Sequence, residues 1–262
     1  MRKRLIALGA ALICAFSLAA QEKPNDYSMI GVYGGASAQY GFFNPSRLTK
    51  FQFSYPAFGI SYVRYFTMFG MFPNMGLELG GQLNYEGYEF KMNDETKRRS
   101  TESGAYKMVM RVPEIYGLSH FHVDMADRVK LMAKVGLYAG YRMDITRTLE
   151  EGYGAYSDYV NSFRDYDRRW TYGLQGGIGA AYMLDPFEIH LNVQIKWGWS
   201  SFWEPDSAPK YYFRFAYPLD GLVSLGIYYQ LTPRHGKSRS QLRKEAKEIV
   251  RSEYENFERT DR

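Results

Sequence analysis

The sequence predicts an all-β fold: an eight-stranded antiparallel up-and-down transmembrane β-barrel with a short C-terminal periplasmic helix. Three observations predict it. Residues Phe187 to Trp199 alternate apolar and polar without an error and close on Trp197 and Trp199, the residue type that settles where hydrocarbon meets headgroups. Tyrosine, phenylalanine and tryptophan make up 17% of the chain, yet past residue 20 nothing approaches the run of about 20 apolar residues that a spanning helix needs. A barrel reconciles these facts, because only alternate residues face lipid. Finally, Arg2, Lys3 and Arg4 precede an apolar run from Leu5 to Leu18, and Ala19-Ala20-Gln21 supplies small residues for cleavage. That is the layout of a secretory signal peptide. The expected organisation is a signal peptide over 1–20, a barrel over 21–232 and a charged tail over 233–262.

Eight segments read as strands, at about 28–41, 56–67, 75–92, 105–124, 129–147, 165–183, 187–202 and 219–232. Each exceeds the roughly 9–11 residues that a tilted strand needs to cross a bilayer. In the first and second, Ala, Gly and aromatic residues occur on both faces. The third gathers Glu78, Gln82, Asn84 and Glu86 on one face. In the fourth, Met108, Met110 and Val112 share one parity and Phe121, Val123 and Met125 the other. Pro113 stands between them, where a bulge would insert one residue and reset the register. The fifth sets Leu131, Val135, Leu137, Tyr141, Met143 and Ile145 against Lys130, Lys134, Gly136, Gly140, Arg142 and Asp144. Gln175 marks the inward face of the sixth. The seventh turns Glu188, His190, Asn192, Gln194 and Lys196 inward, and the eighth sets Val223, Leu225, Ile227, Tyr229 and Leu231 against Ser224, Gly226, Tyr228 and Gln230.

The connections alternate in length. Links after the second, fourth and sixth segments are short, ending with Leu184-Asp185-Pro186; those after odd segments are longer and more polar, as in Met92–Gly104 and Leu149–Phe163. Short turns face the periplasm and long loops the exterior in bacterial barrels. Both termini are therefore expected in the periplasm, and the protein in the outer membrane.

Composition excludes several classes. Cys14, the sole cysteine, leaves with the signal, so the exported chain has no disulfide, thiolate nucleophile or cysteine metal site. It follows Ile13, where a lipoprotein signal would place a small residue, so lipidation is not expected. The formal charge of +5 includes Arg2, Lys3 and Arg4. The balance left after export gives nucleic-acid binding no support.

Eight strands enclose an interior just wide enough for their own side chains. The expected lumen network comprises Glu78, Gln82, Glu86, Lys130, Lys134, Arg142, Asp144, Glu188, His190 and Lys196, with the third-strand acids pairing Lys134 and Arg142. Buried charges need partners, because an unpaired ion in a low-dielectric interior costs several kcal/mol. The network reads as a plug of ion pairs; a polar conduit or small-ligand cavity is the alternative. His120 and His122, with Ser119 and Asp124 nearby, offer neither a triad nor a metal site by spacing alone. Their plain reading is a pair of interfacial histidines near a periplasmic turn. No catalytic, cofactor or metal residue is expected.

Trp203, Tyr211 and Tyr212 belong to an aromatic girdle beside the fourth outer loop, and an exposed apolar patch there would mark a partner site. After Thr232 the character changes. Leu242, Ala246, Ile249, Val250 and Phe257 recur at helical spacing among charges, predicting an amphipathic helix over 240–258. It is read either as a solvated tail or as a docking helix for a periplasmic or outer-membrane protein, through Leu242, Ile249 and Phe257.

Val112-Pro113, the run Val135-Gly136-Leu137-Tyr138-Ala139-Gly140-Tyr141, then Gly173-Leu174-Gln175-Gly176-Gly177-Ile178-Gly179 and a closing Leu225-Gly226-Ile227-Tyr228-Tyr229 resemble the PorT-like outer-membrane β-barrel family of Bacteroidetes. The resemblance spans about residues 26–232. It implies an eight-stranded outer-membrane barrel and, for the founding member, a part in type IX protein secretion. Glu114 departs from the family pattern, which usually has an aliphatic residue there, and the charged tail is a second departure. The expected role is a structural or interaction component of the envelope, embedded in outer-membrane lipid and not an enzyme. A passive small-solute transporter is the alternative, and a lipid-modifying barrel enzyme a third.

Overall fold

The computed structural model describes residues 27–68, 72–95, 99–101, 104–126, 128–150, 160–204, 215–232, 244 and 246–251. The strands are β1 (Ser28–Asn44), β2 (Thr49–Lys50), β3 (Gln52–Met68), β4 (Phe72–Phe90), β5 (Ala105–Ala126), β6 (Val129–Tyr141), β7 (Asp144–Leu149), β8 (Trp170–Leu184), β9 (Phe187–Gly198) and β10 (Phe215–Gln230). β2 is a short addition beside β4, and β6 and β7 both pair with β5, so the strands form eight staves. All pairs are antiparallel. The ring closes where β1 runs against β10, from Met29↔Gln230 to Asn44↔Phe215. Closure removes sheet edges, which hydrocarbon could not hydrate.

β3 and β4 pair from Phe58↔Leu83 to Met68↔Phe72, and β2 meets β4 at Lys50↔Glu89.

The first and last strands of the barrel wall have their outer ends at one rim. Leu231 N donates to Ser28 O at 2.8 Å, and Ser28 N donates to Thr232 Oγ1 at 2.8 Å. The tight turn at Asp185-Pro186 shares this rim, called here the turn end; the longer links leave the opposite, loop end.

The staves match the eight expected segments with the larger end shifts at four of them: the second begins at Gln52 rather than 56, the seventh ends at Gly198 rather than 202, and two more have a visible cause. The last begins at Phe215 rather than 219, because residues 215–218 extend the closing ladder against β1. The sixth begins at Trp170 rather than 165, because Asp167 leaves the wall to bridge Trp203.

The expected bulge at Pro113 is absent. β5 pairs with β4 without a shift from Met75↔Phe121 to Glu89↔Lys107, through Leu83↔Pro113. Even-numbered residues from Met108 to His122 point inward throughout, so the change in composition reflects a change in surroundings. Towards the loop end the interior is apolar: Tyr88, Phe90, Met108, Met110, Val112, Ile145, Phe202, Trp203 and Ala216 form one buried cluster. From Glu114 towards the turn end charged and polar side chains enter the interior between two tyrosine-rich clusters, which include Met29, Val63 and Leu118, and Ile115, Phe121, Val123 and Met125 are exposed outside.

The register shift lies on the neighbouring stave. β6 ends its pairing at Glu114↔Gly140, whereas β7 resumes at Arg111↔Asp144, giving β6–β7 one extra residue. The inward parity therefore switches from even to odd between Arg142 and Ile145. Two expectations fail for this reason. Asp144, expected in the lumen, is outside with its side chain 58% exposed, and Ile145, expected on the outer face, is buried.

Inward glycines make room for tyrosines. A Cβ at Gly59 would lie 2.3 Å from the Tyr33 ring, and one at Gly80 would lie 2.4 Å from that of Tyr116. Beyond the barrel, residues 246–251 are helical, with Ile249 and Val250 exposed. No described helix is long and apolar enough to cross a membrane, which says nothing of crossing by strands.

Candidate functional site: the polar lumen

Strand alternation drives alternate side chains of every stave into one interior, where groups distant in sequence meet. At the turn end, Lys130 Nζ lies 3.2 Å from both carboxylate oxygens of Glu188. Tyr27 donates to the same carboxylate at 3.0 Å, and His190 Nε2 lies 3.1 Å from it. The His190 ring stacks on Tyr228 with centroids 4.0 Å apart.

The next tier pairs Lys134 with Glu78 at 2.7 Å, both side chains 1% exposed. Tyr116 donates to Glu78 at 3.4 Å. The Tyr33 hydroxyl lies 3.0 Å from that of Tyr116 and donates to Gln82 Oε1 at 2.8 Å. Gln82 in turn donates to Glu114 at 2.6 Å, and Glu114 is paired with Lys196. Lys196 also lies 3.5 Å from Asp220.

Towards the loop end, Arg142 Nε donates to Glu86 at 2.9 Å, and the same guanidinium donates to the carbonyls of Arg168 at 2.8 Å and Ser201 at 3.1 Å. Thr171 donates to the second oxygen of Glu86 at 2.8 Å. Last comes Arg147, 2.5 Å from Asp167 and donating to Ser162 O at 2.8 Å.

These contacts bring together nine of the ten residues expected inside and leave out Asp144, which pairs with Arg111 on the outer surface. His120 and His122 are placed differently from expectation. Both are buried inside the barrel with rings 5.1 Å and 4.6 Å from that of Tyr65, whereas Ser119 faces out and cannot join them. Among the described residues no group of His, Cys, Asp and Glu could hold a metal ion. Trp203, expected on a partner surface, is 3% exposed and packs in the apolar cluster of the loop end. Tyr211, Tyr212, Leu242 and Phe257 lie outside the described residues; Ile249 is exposed.

Sequence reasoning missed Glu114, Asp220, Tyr33, Tyr116 and Arg147. Glu114 shares the parity of Tyr116, Leu118 and His120, a signal hidden by the expected bulge one residue away. Asp220 shares the parity of Ser224 and Gly226 and lies within the expected last strand, one residue from its start, where the inward list began only at Ser224. Chemically the arrangement is a set of cross-braces. Each charge is desolvated and held by a partner from another stave or, for Arg147, from residues 162–167 ahead of β8, which makes every single partner expensive to remove.

The family model described as "Outer membrane protein beta-barrel domain" matches residues 19–202. No curated protein matches the chain. Among solved structures, OprG from Pseudomonas aeruginosa is similar at 11% identity and TM-score 0.44, over 80% of this chain and 99% of that one. Neisserial surface protein A is similar at 11% identity and TM-score 0.42, over 76% and 96% respectively. Ail of Yersinia pestis, solved with the heparin analogue sucrose octasulfate, is similar at 12% identity and TM-score 0.39, over 78% and 99%. With the matched model covering more than half of the chain, this protein belongs to the outer membrane protein beta-barrel domain family.

Proposed function

We propose that the protein is a PorT-like barrel that serves the cell envelope as a structural or interaction component, linked to type IX protein secretion, and does not conduct solutes. The observation that carries this reading is the succession of ion pairs across the lumen, from Lys130–Glu188 through Lys134–Glu78 and Lys196–Glu114 to Arg142–Glu86. Eight staves leave little space beyond what such side chains fill. On this reading residues 1–20 are a removed signal peptide, 21–232 the barrel and 233–262 a periplasmic tail, with both termini in the periplasm. The tail offers Ile249 and Val250 to a periplasmic or outer-membrane protein.

Purified protein in a planar bilayer is expected to be electrically silent; steady ohmic conductance would favour a small-solute channel instead. Crosslinking from the tail in intact cells is expected to capture one partner, whose loss on deleting 236–262 locates the contact. Unchanged capture after that deletion would refute docking through the tail.

A further inference from the structure

One row of inward side chains crosses three strands inside the barrel. Gln52 of β3 is paired in register with Gln39 of β1, and Gln39 with Asp220 of β10. Directly paired residues on one face hold their Cβ atoms about 4.5–5.5 Å apart, so these three side chains stand side by side. Asn84 of β4 reaches the same place from across the lumen. Tyr33 of β1 donates to Gln82 of β4 at 2.8 Å, and a Cβ on Gly41 of β1 would lie 2.8 Å from that of Tyr88 on β4. Gln39 lies between these two contacts on β1, and Asn84 lies between them on β4.

All four side chains are at most 4% exposed. Among the described residues no donor reaches Gln39 Oε1, Gln52 Oε1, Asn84 Oδ1 or either carboxylate oxygen of Asp220, which Lys196 approaches to 3.5 Å. The orientation of Gln39 is fixed, because its amide nitrogen donates to Ser37 Oγ at 2.7 Å. Unbonded acceptors outnumber unbonded donors in this set, five oxygens against the amide nitrogens of Gln52 and Asn84. Buried polar atoms are nearly always satisfied, so a cluster weighted towards acceptors calls for a partner with positive charge.

The balance of formal charge agrees. Glu86 is paired with Arg142, and Lys196 serves both Glu114 and Asp220, which leaves three carboxylates against two cations. A carboxylate without its counter-charge is costly in a dry interior.

We propose that Asp220, Gln39, Gln52 and Asn84 bind one monovalent alkali cation inside the barrel. Carboxylate and amide oxygens are the ligands that hard cations take. One excess negative charge is neutralised by a monovalent ion, whereas a divalent ion would reverse the imbalance. The set holds a single carboxylate and neither imidazole nor thiolate, so it is unlike a transition-metal site. The ion ties β4, across the lumen, to the row on β3, β1 and β10. It acts on stability whatever the barrel does for the envelope.

The test refolds full-length protein from urea into dodecyl maltoside, in sodium chloride or in N-methylglucamine chloride of equal ionic strength, so that the ion is present while the lumen closes. Thermal unfolding is followed by tryptophan fluorescence. A ligand of the folded state raises the midpoint with the logarithm of its concentration, and the sodium series is expected to gain about 3 °C on the organic cation for each tenfold increase. Asp220→Asn, which removes the charge, and Gln39→Leu, which removes a ligand, are each expected to abolish the sodium-specific rise. Either variant alone decides if the other does not refold. Asp144→Asn, on the outer surface, is expected to keep the rise. Equal midpoints in the two salts, or a sodium-specific rise that survives in the lumen variants, would overturn the site. A larger rise from calcium chloride than from sodium chloride at the same concentration would overturn the monovalent assignment.

Discussion

Lys196 on β9 pairs with Glu114 on β5 and stands 3.5 Å from Asp220 on β10, so one ammonium holds carboxylates from two other strands. All three side chains are essentially removed from solvent. Lys196→Met leaves both acids without their cation and is expected to destabilise the barrel by about 3–5 kcal/mol. Urea unfolding in lipid vesicles, followed by tryptophan fluorescence, measures this. Adding Glu114→Gln is expected to recover part of the loss, and a single variant as stable as the parent would contradict the pairing.

Arg142→Lys keeps the charge but loses the planar fork that reaches Glu86 and the carbonyls of Arg168 and Ser201 together. A loss of roughly 2 kcal/mol is expected, with hydrogen exchange quickening first around residues 168–169 and 201. Uniform quickening across all staves would mean that Arg142 does not brace the loop end.

The exposed pair Arg111–Asp144 offers the contrast. With side chains 46% and 58% exposed, it is expected to contribute at most about 1 kcal/mol. Arg111→Ala should leave the unfolding midpoint nearly unmoved in the same assay, and a loss as large as that of Lys196→Met would place this pair in a far drier setting than its geometry indicates.

Gly59→Val drives a side chain into the Tyr33 ring and is expected to cost about 1–3 kcal/mol through overpacking. Combining it with Tyr33→Ala removes the clash, so the double variant should be less destabilised than the two single losses summed. Strict additivity in a double-mutant cycle would show that the two positions do not touch.

Much of this was legible because a barrel reads its sequence two residues at a time. The unbroken alternation from Phe187 became β9, ending at Gly198, with every odd residue outward, and Glu78 and Glu86 found Lys134 and Arg142 as matching parity required. The failures share one cause. Alternation identifies a face only relative to its surroundings, and those surroundings invert along β5, so Met108 and Val123 are both apolar while one lies inside and the other outside. A bulge also leaves no mark in composition. Nothing in Tyr141-Arg142-Met143 announces the extra residue, so Asp144 and Ile145 were assigned to opposite faces from those they occupy. The tyrosine bridges were hidden differently: a tyrosine suits an interfacial girdle as well as a lumen, and only its pairing with a neighbouring glycine, as Tyr33 with Gly59, distinguishes the two.

The extra residue after Gly140 also governs depth. On the turn-end side of it the barrel is oily outside and carries its ion pairs within; on the loop-end side Asp144, Thr146 and Thr148 face outward while Ile145 joins an apolar interior. Sinking the protein by a few ångströms would drag Asp144 and Arg111 into hydrocarbon, and raising it would strand Ile115 and Leu137 in water. The chain thus carries its own waterline, and whatever grips its loops pulls against a float that resists being moved up or down.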